Sequence, residues 1–584
     1  MGAGEEPASM IFMEWKLKNN NFEFSKELEE KYSSVILSLL SQRNIIDPEE
    51  IERYFSFDYE KDLPDPSEIP EIKKAVERIA IALGKKEKVA IFGDYDADGV
   101  TASALLYETL TDLGFSDVVC YIPDRQTEGY GMNEKAVEYL SGQKVDLIIT
   151  VDCGVGSVKE VELAKKLGMD VIITDHHNLP EALPKAVSII NPHIENSGFS
   201  FTELAGVGVA FKLATALVKK ISPDKIEQLK WLLDLVAIGT IADCVPMLGE
   251  NRVLVRYGLI VLSKTKRIGL QEIFKVGRIE ISEDKIPEVE KVAFQIAPRI
   301  NAAGRMDHAN AAYKLLIEKK PAMAEKLAKE LESHNQARQK MTKEIFEAVR
   351  ALASEKFSDK KFIYAASHDW PVGILGLVAG KITEEFRKPT VILQEREDDL
   401  AGSLRSIPEV DIYAALKECQ DALETFGGHD QAAGMTIKKE NLEKFYEKMN
   451  EAVEKQLEGR QIVPTLEIDT EISTSDINWH FMQTLKEMEP FGIDNEQPKF
   501  MAKDIIVSEA KIVGNGQKHW KLALRGESGG PKVFDAIGFS LAERFPDLKK
   551  DDKIEVVFNL EEDSWNGNKK IQMKLIDLKI IGHQ

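Results

Sequence analysis

The chain has 584 residues, a formal net charge of −22 and 43% apolar residues, which fits a globular protein of three or four domains. No run approaches the ~18 apolar residues of a membrane span, and Cys120, Cys153, Cys244 and Cys419 form no CxxC pair, so small buried thiols in a reducing cytoplasm are expected rather than zinc or disulfides. Taken alone the acidic total argues against nucleic acid, and a nucleic-acid enzyme of this charge needs a locally basic channel.

Residues 1–75 read as helical and then irregular, closed by Pro64, Pro66 and Pro70. Four segments then end on acidic or imidazole clusters. Val89–Gly93 reads as a buried strand and runs into Asp94-Tyr95-Asp96-Ala97-Asp98-Gly99. Leu147–Val151 runs into Asp152-Cys153-Gly154, and Val171–Thr174 into Asp175-His176-His177. A helical stretch from Trp231 leads to Ala242-Asp243. Short apolar runs separated by helices predict a parallel α/β sheet, with ligands beyond the carboxyl ends of its strands. The clusters then meet in one crevice, where carboxylates and imidazoles repel one another unless cations are present. Oxygen-rich ligation with some imidazole suits Mn or Mg.

Gly99 lets the chain turn tightly into a helix expected over Val100–Leu113, whose N-terminus can face a phosphate. Asp96 and Asp98 alternate on an extended loop behind Asp94. Two metals ~4 Å apart, bridged by one carboxylate, would stabilise both the attacking and the leaving oxygen of an in-line displacement. Asp152, alone at a central strand end, is the natural bridge. His176 can ligate through one ring nitrogen. His177 is better placed to touch the scissile phosphate or to protonate the leaving oxygen.

Further along, a strand over Val118–Ile122 turns Arg125 toward the crevice, and Arg299 and Arg305 flank Asn301-Ala302-Ala303-Gly304. Pro321 opens a polar run to Phe357 without interior Pro or Gly, read as a helix linking two lobes. Strands over Phe362–Ala366 and Thr390–Leu393 begin a second α/β unit. In it Ser403 and Arg405 lie about a Gly-Ser turn, and Gly427-Gly428-His429 lies in another. Arginine binds phosphate bidentately, and such turns add backbone donors. After residue 460 short strands alternate with turns at Gly514-Asn515-Gly516 and Trp565-Asn566-Gly567-Asn568, the pattern of a small β-barrel. There His519, Trp520, Phe534 and Phe539 lie among Lys511, Lys518, Lys521, Arg525 and Lys532. That mixture suits stacking on a single strand, although aromatics at this spacing more commonly fill a barrel core.

The motifs GDYDADGVTA (93–102), VDCGV (151–155), TDHH (174–177) and IGTIADCVPM (238–247) together resemble the DHH phosphoesterase superfamily. YIPDRQTEGYGM (121–132), APRINAAGRM (297–306), GGHDQAAGM (427–435) and EPFGIDNEQPKF (489–500) narrow the resemblance to its single-strand-specific 5′→3′ exonuclease branch. The resemblance implies an α/β fold with a parallel-sheet DHH lobe (76–320), a linker helix (321–357), a DHH-associated α/β lobe (358–460) and an OB-type β-barrel (461–584). It implies two Mn²⁺ or Mg²⁺ ions, one on Asp96, the other on Asp98, His176 and Asp243, with Asp152 shared. Some superfamily members carry a histidine four residues before the position of Asp96. This chain has Phe92 there, which implies Asp94 as a compensating ligand or base beside Asp152 and His177. Arg125, Arg299 or Arg305, Ser403 and Arg405 would hold the terminal phosphate and first nucleotides, with Asn301 and His429 also on the substrate. In place of the family's usual Gly-Asn this chain has Asp494-Asn495, a departure that bears on the local turn geometry and not on the domain.

The implied activity is a cytoplasmic exonuclease on single-stranded DNA that releases 5′-mononucleotides in repair and recombination, beside a helicase and a single-strand-binding protein. The alternatives are a DHH phosphodiesterase acting on oligoribonucleotides or cyclic dinucleotides, and a non-catalytic replisome scaffold. The C-terminal β-rich region counts against the first, and the full set of acids and both histidines against the second.

Overall fold

Strands buried on both faces are apolar without interruption, and here they form the middle of a five-stranded, wholly parallel sheet. Its order is Val118–Tyr121, Val89–Phe92, Leu147–Val151, Asp170–Thr174, Ser188–Ile190. In the computed structural model the described residues are 13–19, 22–125, 127–283, 285–306, 309–460, 462–514, 516–526, 532–563 and 569–583. Phe92 is in register with both Tyr121 and Thr150, and Val151 with Thr174. From Val89–Phe92 the chain goes to one neighbouring strand and then returns to the other side, so a topological switch point opens between Val89–Phe92 and Leu147–Val151. The loops carrying Asp94 to Asp98 and Asp152 leave the sheet there.

The helix after the first acidic loop spans Ala97–Asp112, three residues earlier than the sequence suggests. Asp96 is its N-cap and accepts the amides of Asp98 and Gly99 at 2.9 and 3.0 Å. Asp98 therefore sits in the first helical turn rather than on an extended loop. The helices Gly206–Ile221 and Leu233–Ala242 pack against this one. The latter is apolar apart from Asp234 and Thr240 and is buried over Leu233–Ile241.

Pro321–Lys356 is one helix, with Ala324, Ala328, Leu331, Asn335, Thr342, Ile345, Val349 and Ala353 on its buried stripe. It packs on the helices Ala297–Met306 and Val372–Phe386. The second sheet is mixed, in the order Thr425–Gly428, Ala432–Lys438, Asp399–Arg405, Thr390–Glu395, Ile363–Ser367; only the last two strands run parallel. Two expected turns are strands. Ser403 and Arg405 lie within Asp399–Arg405, whose backbone is engaged by ladders on both sides, so the donors there are side chains. Gly427 and Gly428 end a strand, and only His429 belongs to the turn. All of this lies in one compact unit, Leu63–Val245 with Gly249–Ile462.

The other unit combines the two ends of the chain, Met1–Asp62 with Val463–Gln584, and includes Pro246–Leu248. Its sheet closes on itself. Strands Phe500–Val513, His519–Gly526, Val533–Gly538, Lys570–His583 and Asp552–Asp563 follow one another, and the first also pairs with the last. That is the closed barrel of an OB fold. Trp520 and Phe534 are buried core residues, while Phe539 is 55% exposed against His519. Asn515 and Trp565-Asn566-Gly567-Asn568 of the expected turns lie outside the described residues. From the N-terminal segment, Glu14–Leu17 pairs in parallel with Thr465–Ile468, and Leu39, Leu40, Ile51 and Tyr54 join one hydrophobic core with Phe481, Phe500 and Phe558. Asp494 takes the left-handed conformation (φ 59°) that a glycine would adopt freely, and Asn495 after it is fully buried.

No cysteine is paired; Cys153 and Cys419 are buried, but Cys244 is exposed, contrary to the expectation for small core thiols. Among the described residues no helix is long and apolar enough to cross a membrane.

Candidate metal centre

Parallel strand ends deliver the acids. Asp152 follows Leu147–Val151 in the left-handed region (φ 61°), a costly conformation for a non-glycine residue that recurs where a side chain must be aimed. His176 Nε2 lies 3.2 Å from Asp152 Oδ1 and 3.4 Å from Asp243 Oδ2. Ligand atoms fall within 4.8 Å of one another in three overlapping sets: Asp94, Asp96 and Asp152; Asp98, His176 and Asp243; and Asp152, His176 and His177. Asp152 is shared by the first and third sets, and His176 by the second and third. The first two sets together contain Asp96, Asp98, Asp152, His176 and Asp243, the ligands expected from sequence, with Asp94 beside them.

Glycine makes the approach possible. A Cβ at Gly206 would stand 2.6 Å from Asp152 Oδ1, and one at Gly99 2.7 Å from the Asp94 backbone. The helix beginning at Gly206 also presents its first amides to Asp98, Gly206 N–H at 2.6 Å and Val207 N–H at 3.0 Å. The sequence reading missed this cradle, because nothing about Gly206-Val207 signals a partner more than a hundred residues upstream.

The electrostatics call for cations. Asp94, Asp98 and Asp152 are each pushed well above the usual carboxylate range, first by burial and then by neighbouring carboxylates. Burial, then Asp96, raises Asp243 to about 7. Burial, then His177, holds His176 down at about 4, the neutral form in which imidazole ligates metal. Asp94 Oδ1, Asp152 Oδ1, His176 Nε2 and Asp243 Oδ2 are buried without a hydrogen-bond partner. Four such orphaned atoms in one cluster fit hard divalent cations, whose coordination would satisfy them.

His177 differs from its neighbour. Its side chain is 43% exposed, and Nδ1 lies 2.8 Å from Asp175 Oδ1 and 3.0 Å from the Tyr130 hydroxyl. Burial opposes its charge, but the Asp175 hydrogen bond and charge outweigh burial and raise it above the ordinary histidine value. Asp175 is fixed in turn by the amides of Val155, His176 and His177. Sequence reasoning gave neither Asp175 nor Tyr130 a role; both lie inside its motifs.

Beyond the acids lies a group of arginines. Arg125 stacks on Tyr95, 4.9 Å from the ring centroid. Arg405 donates to Ser403 Oγ at 3.1 Å, and Arg305 to Gly373 O at 3.1 Å. Burial, then Arg125 and Arg338, lowers Arg305 to about 10, and burial, then Arg125, lowers Arg405. Among the described residues Arg125, Arg305, Arg338 and Arg405 have no carboxylate within ion-pair distance, so the group calls for an anion. Arg338 on the long helix escaped sequence reading, since its polar surroundings resemble any solvated helix face.

Other predicted residues have different surroundings. Arg299 is bound to Glu332 Oε2 at 2.6 Å, so its charge is compensated, unlike that of Arg305. Asn301 Oδ1 accepts the Ala97 amide at 2.7 Å and braces the acidic loop. His429 is exposed; its amide bonds Ala432 O, closing the hairpin. Gly427 and Gly434 lie opposite one another in register, with Ser403 next in the row, leaving bare sheet beside the arginines.

Residues 88–240 match the model of the DHH family, N-terminal domain; residues 359–455 match the DHHA1 domain, and residues 468–577 the RecJ OB domain. The single-stranded-DNA-specific exonuclease RecJ of Bacillus subtilis is 36% identical over 572 residues, 97% of this chain and 71% of that one. The structure resembles that of RecJ from Thermus thermophilus in complex with Mn²⁺, with a TM-score of 0.80 and 25% identity over 98% of this chain and 80% of that one. The Mg²⁺ complex of the same protein gives a TM-score of 0.74 over 98% and 79% of the two chains.

Proposed function

The chain belongs to the RecJ family of single-stranded-DNA-specific exonucleases, and from that premise we propose that it removes nucleotides from the 5′ end of single-stranded DNA as 5′-mononucleotides. The observation that carries this reading is the juxtaposition of two sites within one compact unit. One is a buried carboxylate–imidazole cluster with four orphaned atoms, and the other a group of arginines without carboxylate partners among the described residues.

Asp96, Asp98, His176 and Asp243, with Asp152 shared, would hold Mn²⁺ or Mg²⁺. Such cations supply Lewis-acid stabilisation to the attacking and leaving oxygens of a phosphodiester. Asp94 adds negative charge behind Asp96. Arg125, Arg305 and Arg405, with Ser403, bind the terminal phosphate, which fixes the first scissile bond at a set distance from the end. His177, oriented through Nδ1 by Asp175, holds a proton at Nε2 for the leaving oxygen. The bare row of Gly427 and Gly434 admits a strand close to the sheet. On the barrel, Lys511 stands directly opposite Lys521 in register, a like-charge pair that a passing polyanion relieves. Strand opening by a helicase and coating by a single-strand-binding protein would deliver this substrate during repair and recombination.

The test is a digestion of single-stranded DNA, labelled at one end or the other, with Mn²⁺ present. Immediate release of the 5′ label as a mononucleotide, with duplex intact and Asp152→Ala inert, is expected. Release from the 3′ end, or equal attack on duplex, overturns the reading.

A further inference from the structure

The helix Ala97–Asp112 carries metal-centre acids at its first end and helps wall a separate cavity of about 430 Å³ at its other end. Sixteen residues at 1.5 Å each put about 24 Å between the two. The cavity has an apolar floor that includes Leu113 and Leu229, and one wall is Trp231, 46% exposed although it lines a concavity. Lys266 Nζ stands 5.2 Å from the centroid of that ring. Lys225 also reaches in, donating to Asp112 O at 2.6 Å.

The remaining charges of the wall are largely consumed. Arg267 grips Glu108 with both terminal nitrogens, at 2.9 and 3.0 Å, and also faces Asp234, while Lys319 adds a bond to Glu108. Among the described residues no cation is within ion-pair distance of the Asp112 carboxylate, and Lys266 has no carboxylate partner. The open wall thus combines an aromatic plane, ammonium groups and an acceptor-only carboxylate. A nucleotide has the complementary parts: a flat base that stacks, a phosphate for the lysines, and ring donors for the carboxylate. The volume is that of a small-ligand site.

We propose that this cavity, remote from the metal centre, binds a purine 5′-mononucleotide. That ligand belongs to the product class of the proposed exonuclease, so its biological sense rests on that reading, while its chemistry rests on Trp231, Lys266 and Asp112. Guanine is the favoured base, because its edge offers adjacent N–H donors to the two oxygens of Asp112.

Equilibrium dialysis of the full chain with labelled dGMP counts the sites. Two classes are expected, one weakened in Trp231→Ala or Lys266→Glu and the other in Arg405→Ala. Loss of stacking weakens the remote site by at least about fivefold. Trp231→Ala and Lys266→Glu leave the initial rate of strand degradation unchanged, which also reports that they fold. A single class, insensitive to both cavity substitutions, overturns the proposal. So does displacement by inorganic phosphate at the same concentration as dGMP, which would mark a plain anion site. Trp231-dependent binding in a protein that degrades no DNA would retain this site and sink the exonuclease reading instead.

Discussion

Asp175 Oδ1 lies 2.8 Å from His177 Nδ1, and the same side chain accepts three backbone amides, so the carboxylate cannot turn away from the ring. This pairing separates two adjacent histidines into different chemical species. His176 is kept neutral at about 4, and His177 is raised above its ordinary value. The first suits ligation and the second proton donation, which the shared sequence TDHH does not distinguish.

Asp175→Asn removes the charge that supports the His177 imidazolium. Strand hydrolysis is expected to fall by about 10²–10⁴-fold, the usual contribution of a positioned acid. In the proposed mechanism His177 acts in its protonated form, so a lower value moves the alkaline limb of the rate profile to lower pH. The check is kcat against pH for both proteins; coincident limbs would show that Asp175 does not act through His177.

The carboxyls of the centre are raised, with Asp243 at about 7. A group raised in the folded state binds protons more tightly there than when unfolded. Its stabilisation is complete below the unfolded value of 3.8 and is lost as pH climbs through the folded value. His176, lowered, acts in the opposite sense only below its unfolded value of 6.5. Metal-free protein should therefore melt at a lower temperature at pH 8 than at pH 6.5, by about 2 °C or more. Mn²⁺ should raise the melting temperature more at pH 8, where fewer protons compete for the ligands. Equal metal-induced shifts at the two pH values would refute the coupling.

Asn495 bonds four groups at once. It accepts from Arg43 Nε and the Tyr54 hydroxyl, each at 2.8 Å, and donates to Met488 O at 3.0 Å and Pro490 O at 2.9 Å. Asn495→Ala takes the Nε acceptor from a guanidinium that keeps Leu39 O and Glu496 O, and the amide donor from two carbonyls, of which Pro490 O is left bare, for a loss of about 2 kcal/mol. A denaturation midpoint within error of the wild type would show that water replaces the side chain. Truncation before residue 62 should destabilise the barrel unit more than Asn495→Ala, since the N-terminal segment supplies Arg43 and Tyr54 and also the buried Leu39, Leu40 and Ile51 of its core.

Much of the centre was legible because its signals are local. A continuous apolar run fixes a buried strand, the residue after it must leave the sheet at the carboxyl edge, and Asp or His there falls in the crevice of a parallel sheet. Asp96, Asp98, Asp152, His176 and Asp243 follow from that rule and from the family motifs. The helix start lies three residues before the expected one because Asp96 acts as a cap as well as a candidate ligand. The Gly-Ser segment at 402–403 is a strand rather than a turn because strand pairing, absent from local composition, decides its conformation.

Local periodicity and steric preference were enough to say which residues end buried strands, where the long helix begins and which chemistry the acids and imidazoles can support. Long-range packing alone made the Gly206 and Val207 amides clasp Asp98, gave Arg299 Glu332 but Arg305 no carboxylate among the described residues, and brought residues near the N-terminus to complete a barrel built from residues past 463. Those pairings depend on segments far apart in the chain meeting in one core, and no window of sequence carries the packing that brings them together.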